Sequence, residues 1–291
     1  MPFDRYMRGM SNGGAICARN GEALENEELA AVVPSIFATH AHDSRSDRFA
    51  PIPTINVLNG LRNEGFDPFF AQQARTRIEG KEEFTKHMIR LRHRSLARAD
   101  GEAFEIILVN ANDGTSSYQM IPGFFRFVCA NGLMVGDTFN EVKVRHSGDA
   151  ISQVIEGAYT VLDEAPRITE QVDEFKGLRL SAPEQAAFAE AAHTLRFPKA
   201  HDAEKPTEAP ITAEMLLRAR RRDDLGENLW TTLNVVQENV IRGGQRGRVR
   251  GSDGRIRRAS TREVKGIDQN KTLNRALWTL AERMQELKVA A

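Results

Sequence analysis

Two histidines one residue apart, His40 and His42, are followed at once by Asp43, with Asp47 nearby. On a strand both imidazoles would point the same way and could share an ion, as in metal-dependent hydrolases and nucleases. Such enzymes need further ligands well downstream, and the remaining histidines (His87, His93, His146, His193, His201) form no second motif. The plainer reading is a polar loop whose histidines cap or hydrogen-bond. Cys129 is a second candidate, as a nucleophile with a base such as His146. Its neighbours Phe124, Phe125, Phe127 and Val128 point instead to apolar burial, which raises a thiol pKa and leaves a small core residue. No G-x-G-x-x-G follows a strand, and Walker loop, G-x-S-x-G elbow and H-E-x-x-H are all missing, so no cofactor is expected and no reaction is named.

The stronger pattern is cationic. In KHMIRLRHR the alternation sends His87, Ile89, Leu91 and His93 one way and Met88, Arg90, Arg92 and Arg94 the other. A strand face with three arginines in a row is either solvated or meant for an anion. Lys143 and Arg145 repeat the pattern against Val142, Val144 and His146. Between Arg242 and Lys265 the chain carries nine cations (Arg242, Arg246, Arg248, Arg250, Arg255, Arg257, Arg258, Arg262, Lys265) against two acids. Its Arg-Gly dipeptides have the character of a flexible loop that clamps phosphates without reading bases. The structural alternative is a mobile, solvated loop. Across the whole chain forty basic residues balance forty acidic ones, so net charge says nothing about partners.

The elements that must position these cations read as α+β: an antiparallel sheet from about residue 66 to 146 with helices packed on one face, then a helical C-terminal portion. A first helix spans 25 to 33, and a second, Ile55 to Asn63, is expected to take Thr54 as its N-cap. FFAQQARTRI, FTKHMIRLRHRSL, Phe104 to Asn110, Ser117 to Ile121 and Phe139 to His146 read as strands. The aromatic run after Pro122-Gly123 is left unassigned, and Asn131-Gly132 is turn chemistry. Beyond Gly148 only helices are expected: Ile151 to Leu162, Ile168 to Leu178, and Pro183 to Arg196 opening with a Ser181/Glu184 capping box. A short basic helix, Thr212 to Arg222, a longer one, Glu227 to Arg242, and a closing helix capped by Asp268 complete the chain. The corresponding domains are a disordered tail (1–14), a core (15–200), a linker (201–211), and a C-terminal helical region (212–291) carrying the basic loop 242–265.

With 41% hydrophobic residues over 291 positions the chain can bury a substantial core. Two distant cysteines, Cys17 and Cys129, imply no disulfide framework, and no apolar run is long enough for a membrane span, so a cytoplasmic protein is expected.

Several segments carry a resemblance. Pro34-Ser35-Ile36-Phe37-Ala38, the Ser46 to Thr54 run SDRFAPIPT, Lys86 to Arg92, Cys129 to Leu133, Val144 to Ser147, Gln237 to Gly244 (QENVIRGG) and Asn274 to Trp278 occur in the order found in a phage/plasmid-like family. That family is domain-of-unknown-function family nine-three-two, and the chain resembles it over nearly its whole length. The resemblance implies a setting on mobile elements (replication, recombination or counter-defence) and brings no catalytic residues with it. A hairpin-rich sheet followed by a helix is also similar, at the level of fold alone, to phage single-strand annealing recombinases.

Together these readings describe a non-enzymatic nucleic-acid-binding protein favouring single-stranded DNA. The backbone contacts would come from Arg90, Arg92, Arg94, Lys143, Arg145 and the arginines at 242, 246, 248, 250, 255, 257, 258 and 262. A homo-oligomer and a host-protein partner, the latter in counter-defence, stay open. So does a metal-dependent hydrolase or nuclease using His40, His42 and Asp43.

Overall fold

Alternating and β-branched stretches in the first half of the chain pair into one antiparallel sheet. The computed structural model describes residues 14–18, 21–44, 52–96, 101–126, 132–136, 139, 141–145, 149–198, 209–250 and 253–290. The expected tail up to residue 13, Cys129, His146 and most of the expected linker lie outside them. In chain order the first elements are β1 (Ala15–Cys17), α1 (Asn26–Val32), α2 (Thr54–Asn63), β2 (Phe66–Gln73) and β3 (His87–His93). They continue with β4 (Glu102–Asn110), β5 (Tyr118–Arg126), β6 (Gly132–Met134), β7 (Val142–Val144) and α3 (Ala150–Leu162).

Strands β1 to β5 follow one another across the sheet, each antiparallel to the last. The outer side of β5 is then shared: β7 pairs with Tyr118 to Met120, and β6 with Gly123 to Phe125. Pro122 sits at the changeover. Its carbonyl accepts from Val135 N at 3.0 Å on that outer side, so its missing N–H removes no bond from the ladder with β4. As far as Arg126, the last described residue there, the unassigned aromatic run is therefore the second half of one long strand. The final strand expected over Phe139 to His146 is only Val142–Val144 within the described residues.

At the centre, β4 is buried along its whole length. Ile106 and Ile107 are each 1% exposed and Leu108 is 0% exposed, burial that stabilises by roughly 1.5–3 kcal/mol per side chain. Helices α2 and α3 cover the face bearing His87, Ile89 and Leu91. Thr54 does not cap α2, because Pro53 holds that position and Thr54 lies in the first turn. Its hydroxyl instead meets His87 Nε2 at 2.9 Å, accepts from Asn110 Nδ2 at 2.9 Å and lies 3.2 Å from the Tyr118 hydroxyl, locking the helix onto three strands. Gly157 lets α3 come equally close, since a Cβ there would stand 2.7 Å from Val142 Cγ1.

The chain divides into two compact units, Met1–Val135 with Phe139–Pro166, and Gly136–Thr138 with Arg167–Ala291. The second contains α4 (Ala165–Gly177) from Arg167 on, α5 (Ala182–Arg196), α6 (Leu229–Arg242), β8 (Arg246–Arg250), β9 (Ile256–Ser260) and α7 (Ile267–Val289). Phe175 of α4 packs 5.4 Å from the Trp278 ring of α7, so α4 and α5 belong with the later helices rather than with the sheet. The Ser181/Glu184 capping box closes with both reciprocal bonds. Where a short basic helix was expected there are two 3-10 turns, Ala213–Leu217 and Arg222–Asp224. The side chain of Asn239 takes the carbonyls of Leu216 and Arg218 there. Among the described residues no helix is long and apolar enough to cross a membrane.

Candidate functional site

The cations of β3 turn inward. Arg90 is 4% exposed, with Nε donating to Glu105 Oε2 at 2.5 Å, and Arg92 Nε donates to the other oxygen, Oε1, at 2.9 Å. Their guanidiniums lie over aromatic rings, Arg90 above Phe125 at 4.3 Å and Phe70 at 5.0 Å, Arg92 above Phe69 at 4.2 Å and Phe125 at 4.8 Å. A bulge in β2 between Pro68 and Phe70 brings consecutive phenylalanines to these two arginines. Burial pulls the Arg92 guanidinium below its ordinary pKa, and Glu105 works against that shift. The anion this face was built for is thus Glu105 of the neighbouring strand, which corrects the expectation of a solvated or ligand-facing row. The signal for it was present: a lone carboxylate inside the apolar stretch AFEIILV must find a partner. Arg94 lies just past β3, exposed, and is clamped by Asp67 at 2.8 and 3.2 Å, a bond that raises its pKa.

Lys143 is largely exposed and 3.9 Å from Glu141, and Arg145 is exposed. His40 and His42 stand edge-on to Phe84, with centroids 5.0 and 5.4 Å away, and His42 Nδ1 accepts from Ser44 N at 3.2 Å. Among the described residues no three His, Cys, Asp or Glu side chains group in a way that could hold a metal ion.

The segment expected as a flexible basic loop is a two-stranded ribbon. Gly243 and Gly244, with φ of 63° and 78°, turn the chain out of α6, and β8 then pairs antiparallel with β9. The register sets Arg246 opposite Ser260, Arg248 opposite Arg258, and Arg250 opposite Ile256. These six side chains share one face and all six residues are exposed. The other face carries Gly247, Val249, Arg257 and Ala259. It is backed by the chain at Pro210 and Ile211, where a Cβ on Gly247 would run into the Pro210 carbonyl. Asp253 in the turn accepts from Arg255 N at 3.2 Å and from Arg257 Nη2 at 2.7 Å, so Arg257 is neutralised locally. Arg246, Arg248 and Arg258 make no ion pair among the described residues. Like charges directly opposite on a ribbon repel, weakly where they are solvated.

Buried polar residues of α6 brace the ribbon at its base. Asn239, 1% exposed, has every valence used: Nδ2 donates to Leu216 O at 2.8 Å and Arg218 O at 2.9 Å, while Oδ1 accepts from Arg220 Nε at 2.8 Å and Gln245 Nε2 at 2.7 Å. Gln245 N donates to Thr261 Oγ1 at 3.0 Å, and Thr261 N donates back to the Gln245 carbonyl at 2.9 Å, closing the two strands together. Glu238, 2% exposed, is bound by Arg221 and by Arg242 Nη1 at 3.0 Å, so Arg242 belongs to the brace rather than to the ribbon face. Arg262 is exposed, and its carbonyl accepts from Arg196 Nη2 of α5 at 2.8 Å. The QENVIRGG segment therefore holds the ribbon in place.

Residues 41–278 match the family described as Domain of unknown function (DUF932). The chain is 48% identical over 272 residues to the UPF0380 protein YafZ of Escherichia coli K12, covering 94% of this chain and 95% of that protein. It is 47% identical over 272 residues to the UPF0380 protein YfjQ of the same strain, with the same coverage. No solved structure matches, so the likeness to annealing recombinases gains no support. Strands β2 to β7 and most of the unit that bears the ribbon lie within the matched residues, and the chain belongs to the DUF932 family.

Proposed function

We propose that this protein binds nucleic acid through the arginine face of β8 and β9, in the replication or recombination of a mobile element. The observation that carries the reading is Arg248 opposite Arg258 on an exposed, rigidly based ribbon, with no carboxylate paired to either among the described residues. Phosphates would relieve that repulsion and release counterions as they bind. Since the whole chain is neutral, the attraction is local and depends on these few side chains. Lys143 and Arg145 are additional exposed candidates. Arg90 and Arg92, bound to Glu105, support the sheet instead.

The test is a salt titration with labelled single- and double-stranded DNA and RNA. Binding is expected to weaken steeply with salt. Replacing Arg246, Arg248 and Arg258 together by Ala should lower the log–log slope by about 2 to 3, at roughly 0.7–0.9 per phosphate contact. No binding at low salt, or a triple variant with unchanged affinity and slope, would overturn the reading.

A further inference from the structure

Resting on the reading above, we infer that the ribbon's target is B-form duplex DNA, entered through the major groove with Arg248 and Arg258 directed at base edges. Single-strand binding surfaces rely on aromatic platforms on which successive bases stack. The ribbon offers none, because β8 is RGRVR and β9 is IRRAS. Its charge is supplied by arginine alone, and arginine is the side chain whose fork matches the O6/N7 edge of guanine in the major groove.

Dimensions agree. Two strands stand about 4.8 Å apart, and a B-form major groove about 12 Å wide admits a two-stranded ribbon with its side chains. Five residues per strand extend about 17 Å, about half a helical turn. A-form RNA has a deep and narrow major groove that side chains cannot read, so duplex RNA does not offer the same seat.

Stiffness points the same way. A loop that follows a flexible strand must adapt, whereas this ribbon is closed at its base by Gln245 and Thr261 and tied to buried Asn239. One face is held against Pro210 and Ile211, which leaves the opposite, arginine-bearing face to enter a groove.

The full-length protein would be titrated at fixed moderate salt against duplex DNA, single-stranded DNA and duplex RNA of one length and sequence. Duplex DNA containing 7-deazaguanine, which lacks the N7 acceptor, forms a fourth arm. Expected is at least about tenfold tighter binding to duplex DNA than to the other natural targets, with much of that advantage lost on 7-deazaguanine. The double variant R248K/R258K keeps the charge but loses the fork. It should lose about tenfold on unmodified duplex DNA while retaining its affinity for single strands. Equal or tighter binding to single strands, or indifference to both 7-deazaguanine and the lysine variant, overturns the duplex assignment and leaves phosphate binding standing. No binding to any of the four removes both.

Discussion

Glu105 serves two guanidiniums with one carboxylate, and the three charges are taken out of water together. Side-chain exposure is 4% for Arg90, 16% for Arg92 and 1% for Glu105. One anion between two cations leaves a net positive charge, which the faces of Phe69, Phe70 and Phe125 partly accommodate through their quadrupoles. Such a cluster adds little net stability compared with an apolar core, but removing one partner strands the others. The substitution Glu105→Gln keeps the shape and deletes the charge. It should destabilise the first unit by about 3–5 kcal/mol. Urea denaturation followed by far-UV circular dichroism measures this, and a loss below about 1 kcal/mol would show that the arginines are held by something other than Glu105. Alternation alone had correctly put Arg90 and Arg92 on one face of β3. It could not show that Glu105 of β4 shares that face, because the pairing depends on strand register, and register is set by the turn and by tertiary packing.

At the scale of elements, helices with an apolar stripe or a capping box were legible and the ribbon was not. The Ser181/Glu184 box and the apolar spacing of Trp230, Leu233, Val236 and Val240 predict α5 and α6 from local pattern, and both form close to their expected bounds. RGRVRGSDGRIRRAS has no apolar period to follow. Its pairing comes from a glycine-bearing turn anchored by Asp253 and from the backing at Pro210 and Ile211, neither of which a propensity argument weighs. The same limit applies to Thr54, a good cap by type that a buried polar cluster drew into the first turn instead. If α6 holds the ribbon through Asn239, Asn239→Ala leaves the Leu216 and Arg218 carbonyls, Gln245 and Arg220 without that side chain. The expected cost is roughly 2–3 kcal/mol in the second unit. Hydrogen exchange should also show faster opening of the β8–β9 amides near Gln245 and Thr261. Wild-type protection of those amides in the variant would mean that the ribbon stands on its own turn and on its contact with Pro210.

In the whole molecule, each compact unit has its own core, and the tryptophans report on only one of them. The chain contains two, Trp230 on α6 and Trp278 on α7, 4% and 0% exposed, both within the second unit. Trp278 packs against Phe175, donates from Nε1 to Glu282 at 2.9 Å, and closely approaches Gly136, the start of the short segment assigned to the same unit. Tryptophan fluorescence therefore follows the helical unit, whereas far-UV circular dichroism follows the sheet and helices of both. For a chain of this length a single two-state transition is not the default. The two substitutions argued above, one in each unit, separate the cases. Glu105→Gln should move the circular-dichroism midpoint and leave the fluorescence midpoint in place, while Asn239→Ala should move the fluorescence midpoint to lower urea. If both variants shift both probes equally, the molecule unfolds as one cooperative body. Damage to the sheet would then reach the ribbon as a loss of global stability, and nucleic-acid affinity measured near the midpoint of Glu105→Gln would fall with it.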